Sequence, residues 1–244
     1  MNVLLTGGSR GIGRAAVRAL HEAGASIVFT YNRESGQAES LCKELGSRVY
    51  AEQCDVSEAD TLPALVDKTL TRLGSIDVLI NNAAIFAENP FFGTDYESWR
   101  AGWQHTFDVN LFGAANLTFL VLQHMRKRGH GKIVNVVSRA AHRGELTFAD
   151  YGASKAALTN LTKSIARSCA KDGIVAIAIA PGFIETDMAA PDLEERGEAL
   201  AAEVPLGYVG KPEEVASIIT FFASDAANYA NGATIDVNGG SYVR

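Results

Sequence analysis

Val3-Leu4-Leu5-Thr6-Gly7-Gly8-Ser9-Arg10-Gly11-Ile12-Gly13 is the stretch that decides the fold. An apolar run of strand length passes into a glycine-rich turn, and a helical pattern, Gly13–Ala23, follows at once. Glycines here permit a tight turn and close backbone approach, so a pyrophosphate can lie against free N–H groups and the positive end of the next helix. A glycine-rich loop alone is weak evidence. Between a strand and a helix, at the start of an alternating chain, it predicts a dinucleotide site built by Gly7, Ser9, Arg10, Gly11, Ile12 and Gly13.

The alternation persists. Strand candidates at Val3–Thr6, Ser26–Thr30, Val49–Gln53, Val78–Asn81, Lys132–Val137, Val175–Ala180 and Ala233–Val237 are separated by helical patterns such as Gly36–Leu45, Ala59–Leu73 and Tyr151–Lys171. Most strand runs are apolar on both faces, as expected where helices cover both sides of a parallel sheet. The expected fold is α/β, with one doubly wound, seven-stranded parallel sheet, helices on both faces and right-handed crossovers. No linker, repeat or low-complexity tract interrupts residues 1–244, which read as a single domain. The longest departure, Pro181 to Lys211, holds Pro181, Pro191 and Pro205 and an acidic helical piece, Leu193–Glu203. Ligands of such sheets sit beyond the carboxyl ends of the strands, so residues 183–211 are predicted to form a lid there.

A net charge of −6 with no block of Lys or Arg argues against nucleic acid or an anionic membrane as partner. Cys42, Cys54 and Cys169 are far apart and the five histidines are scattered, so no metal site is expected. The longest apolar stretch, Leu111–Met125, is broken by Gly113, Asn116 and Thr118 and reads as a buried helix rather than a membrane span. With no basic leader before the first strand, a cytoplasmic protein is expected.

The end of the second strand selects the cofactor in dinucleotide folds, where an acid favours NAD. Here Phe29-Thr30-Tyr31-Asn32-Arg33 has no acid until Glu34. Arg10 and Arg33 can instead fork onto a 2′-phosphate, which predicts NADP(H), with Tyr31 and Asn32 beside it. Asp55-Val56 ends the third strand and Asn81-Asn82-Ala83-Ala84 the fourth, both on the ligand edge. The competing readings are a helix cap for Ser57–Leu73 at Asp55 and turn chemistry at the asparagines.

Tyr151-Gly152-Ala153-Ser154-Lys155 then places a phenol and an ammonium one helical turn apart on the same face. A cation roughly 4 Å from the phenol, at an effective dielectric near 20, is worth about 4 kcal/mol, or some three pKa units. Lys155 is therefore expected to bring Tyr151 down toward a working range for proton transfer. Ser138, thirteen residues earlier, ends the fifth strand and can hydrogen-bond a substrate oxygen together with Tyr151.

Taken in order, Thr6–Gly13, Asp55, Asn81–Ala83, Asn110, Ser138, Tyr151/Lys155 and Pro181-Gly182 resemble the short-chain dehydrogenase/reductase family over essentially the whole chain. The resemblance implies a Rossmann fold and an NADP-dependent oxidoreductase with Asn110, Ser138, Tyr151 and Lys155 as catalytic residues. It further implies that Lys155 also meets the nicotinamide ribose and that Asn110 holds a relay water. Ala83, Pro181, Gly182, Ile184 and Thr186 would line the cofactor. Ala84 stands where the family usually has Gly, which is expected to crowd the cofactor slightly.

"PGFIETDM" (Pro181–Met188) and "VNGG" (Val237–Gly240) look most like 3-oxoacyl-[acyl-carrier-protein] reductases. The implied reaction interconverts a ketone and a secondary alcohol, with an acyl thioester as first substrate and an acyl carrier protein as partner. A sugar, polyol or steroid alcohol dehydrogenase, or a catalytically silent NADP(H)-binding sensor, are the alternatives. The substrate pocket is expected from Ser138, Arg139, His142, Arg143, Phe148, Phe183 and Met188, with Phe86 and Phe91. Arg139, His142 and Arg143 read either as contacts to an acidic carrier or as solvated loop charges, and Asp192, Glu194 and Glu195 argue against a uniformly basic docking face. Helices over Phe107–Met125 and Tyr151–Lys171 are, by the resemblance, those of a homotetramer interface.

Overall fold

Neighbouring residues of the first strand belong to different cores. Val3 and Leu5 face one side with Ala16, Leu41 and Ile219, whereas Leu4 faces the other with Leu65, Leu117 and Ile165. Because both faces are covered, polar alternation is absent and the strands read as continuous apolar runs.

The computed structural model describes residues 1–244, apart from the side chains of Pro191 and Asp192. Its strands are β1 (Asn2–Leu5), β2 (Ser26–Tyr31), β3 (Val49–Gln53), β4 (Val78–Asn81), β5 (Gly131–Val136), β6 (Ile174–Pro181) and β7 (Thr234–Val237). They form one sheet, all parallel, in the order β3-β2-β1-β4-β5-β6-β7. The chain winds outward from β1 in one direction and returns through β4 in the other, which opens a crevice between the carboxyl ends of β1 and β4. The predicted strands agree with these within one or two residues.

The helices are α1 (Gly11–Glu22), α2 (Ser35–Leu45), α3 (Leu62–Leu73), α4 (Tyr96–Phe107), α5 (Ala114–Arg128), α6 (Ala140–Arg143), α7 (Ala149–Cys169), α8 (Ala190–Ala202) and α9 (Pro212–Ala223). α1, α2 and α9 cover one face and α3, α5 and α7 the other. Each fully buried Leu, Ile or Val contributes about 1.5–3 kcal/mol. None of the helices is long and apolar enough to cross a membrane, among the described residues.

Two helical expectations change. Ala59–Leu73 is a 3-10 turn, Ala59–Thr61, that leads into α3, with Pro63 in its first turn. The run Phe107–Met125 is not one α-helix: Asp108–Gly113 is π-helical and joins α4 to α5. At its end Gly113 lies so close to the Val56 carbonyl that a Cβ there would come within 2.6 Å. The wider turn accommodates both this approach and the inward side chain of Asn110, needs that no periodicity records.

Asn81 and Asn135, at 3% and 0% exposure, are two of the polar residues buried inside the sheet, with Thr30 and Lys132. The Asn81 amide donates to Thr118 Oγ1 (3.0 Å) and Asn135 Oδ1 (2.8 Å), and Asn135 donates to Thr162 Oγ1 (2.9 Å). This buried network ties β4 and β5 to α5 and α7. Asn135→Ala strands two donors or acceptors in a dry interior, a cost of about 3 kcal/mol, and should lower the thermal midpoint by roughly 5–10 °C. A midpoint within 1 °C of wild type in a calorimetric scan would show that the network contributes nothing to stability.

Candidate functional site

A cleft of about 610 Å³ runs along the carboxyl ends of the strands, from Arg10 and Arg33 to Ser138, Phe183 and Met188. Its first half is built around the turn after β1. Gly7 takes φ +70°, and a Cβ on Gly13 would overlap the Gly7 carbonyl oxygen. The Asn82 amide donates to both the Thr6 and Gly7 carbonyls (3.0 Å each), while Thr6 Oγ1 accepts the N–H groups of Asn82 and Ala83 (3.0 Å each). From the other side, the Gly7 N–H donates to Thr30 Oγ1 (3.2 Å) and the Gly8 N–H to the Thr30 carbonyl (2.8 Å). Asn82 is thus a brace for the glycine loop, more than turn chemistry. Thr6 stands out in the sequence only as the first residue of the glycine motif, and Thr30 not at all, because a threonine near a strand end carries no distinguishing pattern.

α1 starts without a side-chain cap and without an acid in its first turn. Its terminal N–H groups and positive dipole end therefore face the cleft uncompensated, which fits a pyrophosphate. The remaining predicted contacts, Ser9, Gly11, Ile12, Tyr31, Asn32, Asp55, Val56, Ala83, Ala84, Pro181, Gly182, Ile184 and Thr186, line the same cleft. Arg10 and Arg33 line it too, exposed and with no side-chain partner among the described residues.

Asp55 does not cap α3, which begins at Leu62. Its Oδ1 accepts from the Ser57 N–H (3.0 Å) and Oγ (2.6 Å), and its Oδ2 from Asn32 (2.8 Å). Burial pushes this carboxyl up, but those bonds outweigh it and hold the group below its usual range. Among the described residues only Arg48 has a left-handed backbone without being glycine, so Ala84 adopts a conformation open to any side chain.

At the reacting end the electrostatics differ from expectation. Lys155 is 2% exposed, donates to the Val136 carbonyl (2.9 Å), and lies 5.7 Å from the Tyr151 ring centroid. Burial pushes the Tyr151 phenol up to about 12, with hydrogen bonding to Ser138 opposing it. Burial likewise pushes Lys155 down to about 8. The expected depression of Tyr151 by Lys155 is therefore absent in the protein without ligands. The ammonium is turned onto a backbone carbonyl, and desolvation of both groups dominates.

Asn110, at 1% exposure, accepts the Ile85 N–H (2.8 Å) and donates to the Ile85 carbonyl (3.0 Å) and Ser154 Oγ (3.3 Å). Its side chain pins the loop after β4 instead of lining the cleft. Asp150, also 1% exposed, accepts from the Tyr151 N–H (2.8 Å), Thr106 Oγ1 (2.7 Å) and Asn89 Nδ2 (3.4 Å). It anchors the first turn of α7 to α4. Its only sequence signal is an acid at a helix start, which usually means a cap.

The substrate set divides. Ser138, Arg139, Phe86, Phe183 and Met188 line the cleft, whereas Phe148 lies behind Phe86. Phe86 stacks on Phe148 (centroids 3.8 Å apart) and meets the Tyr151 ring edge-on at 4.8 Å. Arg143, His142 and Phe91 lie outside the cleft. Arg143 is bonded to Glu145 (3.0 and 3.1 Å), His142 stacks against Tyr242 at 6.3 Å, and Phe91 sits on Trp99 at 6.2 Å. Arg139 is buried, so the solvated-charge reading does not apply to it. Glu194 and Glu195 are exposed on α8, and the side chains of Pro191 and Asp192 lie outside the described residues.

Holding Lys155 charged in this interior opposes folding below pH 8, where the shift from 10.5 to about 8 is worth at most ~3 kcal/mol. Lys155→Met should therefore raise the thermal midpoint at pH 7. The gain should shrink as pH rises from 8 toward 10.5, where the unfolded chain also loses its proton. A destabilised variant at pH 7, measured by scanning fluorimetry, would refute this assignment.

Comparison with known proteins agrees with this architecture. The family profile described as "Enoyl-(Acyl carrier protein) reductase" matches residues 7–242. The 3-oxoacyl-[acyl-carrier-protein] reductase FabG of Vibrio cholerae serotype O1 is 37% identical over 240 residues, covering 98% of this chain and 96% of its own. Acetoacetyl-CoA reductase of Shinella zoogloeoides is 38% identical over 240 residues, covering 98% and 97%. The crystal structure of a short-chain dehydrogenase/reductase from Brucella melitensis, described as a glucose/ribitol dehydrogenase, superposes with a TM-score of 0.91 at 34% identity, covering 100% and 97%. With its parallel seven-stranded sheet, its glycine turn and its Ser-Tyr-Lys cleft, the chain belongs to the short-chain dehydrogenase/reductase family of oxidoreductases.

Proposed function

We propose that the protein is an NADPH-dependent reductase of 3-oxoacyl thioesters, carried as acyl-carrier-protein or coenzyme A esters. The observation that carries this reading is one continuous cleft joining the uncapped start of α1 to Ser138, Tyr151 and Lys155. Two relatives named as 3-oxoacyl-[acyl-carrier-protein] and acetoacetyl-CoA reductases support the substrate class. Arg10 and Arg33, without side-chain partners among the described residues, favour a 2′-phosphorylated cofactor. A sugar or polyol substrate, in keeping with the glucose/ribitol dehydrogenase description of the Brucella protein, is the competing outcome.

When bound, the nicotinamide supplies the hydride that reaches the ketone carbon. Tyr151 gives its phenolic proton to the ketone oxygen while Ser138 donates a hydrogen bond to the same oxygen. A phenol held protonated at neutral pH suits the acid role, which is the reducing direction. Lys155, close to its own working range, can leave the Val136 carbonyl to hold the ribose and replace the proton, with a water at the Asn110 backbone as the link to solvent, because the Asn110 side chain is taken up by Ile85 and Ser154. Residues 183–211 act as the substrate lid of this single catalytic domain, which works in the cytoplasm.

Tyr151→Phe should keep NADPH affinity within threefold and lower turnover on acetoacetyl thioesters by roughly 10³-fold. In the same assays wild type should prefer NADPH over NADH by more than tenfold, and Arg10→Ala/Arg33→Ala should erase that preference. An active Phe variant would sink the acid assignment, and an NADH preference the cofactor one. We also propose a homotetramer in which α5, with Phe119 at 63% exposure, and the preceding π-helical turn, with Phe112 at 47%, pack against a second copy. A monomeric mass by light scattering would contradict it.

A further inference from the structure

Among the cations of the cleft, Arg139 stands apart. Arg10 and Arg33 are solvated, and Lys155 is satisfied by the Val136 carbonyl. Arg139 is 4% exposed, yet among the described residues its guanidinium has neither a hydrogen bond nor an ion pair; its contact is the Phe183 ring, 5.4 Å from centroid to guanidinium carbon. The nearest charges do not resolve this. Glu145 is already bonded to Arg143, and Glu203 acts only at longer range, while burial and Arg143 both push the Arg139 proton affinity down. A guanidinium carries five donors and loses its charge only under extreme conditions; none of its nitrogens is sealed off, so all of those donors are left for acceptors that enter from the cleft.

The side chain is held where a substrate would meet it. The Arg139 backbone N–H donates to the Pro181 carbonyl (3.0 Å), and Phe183 offers the guanidinium an apolar plate in the cleft wall. Arg139 follows directly on Ser138, the residue that meets the ketone oxygen, and consecutive Cα atoms are about 3.8 Å apart. Two oxygens close together on one substrate therefore fit this pair.

We propose that Arg139 binds a second acceptor oxygen of the substrate, the carbonyl or carboxylate oxygen β to the reacting ketone, and thereby selects 3-oxoacyl compounds over simple ketones. This deepens and rests on the reductase reading above. A thioester carbonyl and a free carboxylate present the same oxygen at that position, and Arg139 can meet either with a charge-assisted bond.

The test compares kcat/KM for acetoacetyl-N-acetylcysteamine, acetoacetate and cyclohexanone in wild type, Arg139→Leu and Arg139→Lys, following NADPH absorbance. In the Leu variant the ratio of either β-functional probe to cyclohexanone should fall roughly 30-fold, chiefly through KM, and the Lys variant should fall in between. A larger loss on acetoacetate assigns the oxygen to a carboxylate, and a larger loss on the thioester assigns it to a thioester carbonyl. A ratio within threefold of wild type for both overturns the proposal. Should the Leu variant not fold, Arg139→Gln and Arg139→Lys carry the same ratio.

Calorimetric binding of malonate in the presence of NADP⁺ separates this idea from the reductase reading. If wild type reduces none of the carbonyls, that reading fails; a tenfold weakening of malonate in the variants then still supports the Arg139 site. Unchanged malonate affinity in the variants overturns the site, even in an active enzyme.

Discussion

The reciprocal bonding of Thr6 and Asn82 is the constraint on which the site depends. Thr6 follows β1 and Asn82 follows β4, the two strands between which the winding direction reverses. Two backbone N–H groups point into the Thr6 hydroxyl, and one side-chain amide returns to two loop carbonyls. The glycine turn would otherwise be a flexible segment with maximal entropy to lose on binding. Closed from below by Asn82 and from the side by Thr30, it presents the start of α1 at a fixed height above the crevice. The same braces set the path of the chain into Ala83 and Ala84, so both sides of the cleft are referred to one point in the sheet.

The reacting end follows a different principle. Burial is the dominant influence on both Tyr151 and Lys155, and it drives their proton affinities in opposite directions, one up to about 12 and the other down to about 8. Burial thus shifts both equilibria toward the neutral form: the phenol is fully protonated at neutral pH, while Lys155 still carries its charge there but gives it up more readily than a solvated lysine. The buried Asp150 and Asn110 contribute by fixing backbone. One holds the turn that carries Tyr151, the other the loop that follows β4.

Much of this was legible in the residues. The apolar strand runs, the glycine turn and the Tyr-Lys spacing announce themselves through local pattern, and the sheet edge that unites them follows from the alternation. What remained hidden depends on tertiary neighbours. The π-helical stretch around Asn110 answers to Val56 and Ile85, which are distant in sequence. Arg139, His142 and Arg143 look equivalent in a row of loop residues, but they separate into a buried cation in the cleft wall, a ring stacked on the C-terminal segment and a surface ion pair. The i to i+4 rule placed Tyr151 and Lys155 on one face, yet it said nothing about the carbonyl that takes the ammonium.

The excursion after β6 is closed at its base. Ile184 bridges to Gly210, the Gly210 N–H donates to the Phe183 carbonyl (3.1 Å), and the Glu185 N–H donates to the Gly210 carbonyl (2.9 Å). Between these points runs a segment that carries α8 and whose two ends meet, and doubling the length of a flexible loop closed in this way costs only about 0.6 kcal/mol. Its last turn is not free, since Val204 and Pro205 pack against Gly239 and Gly240 just after β7. The segment is therefore anchored to the sheet at both ends of one short bridge and divided in use: Thr186, beside Gly11, belongs with the glycine turn, whereas the part of α8 exposed at Glu194 and Glu195 carries no such tie among the described residues and is where length can vary at least cost.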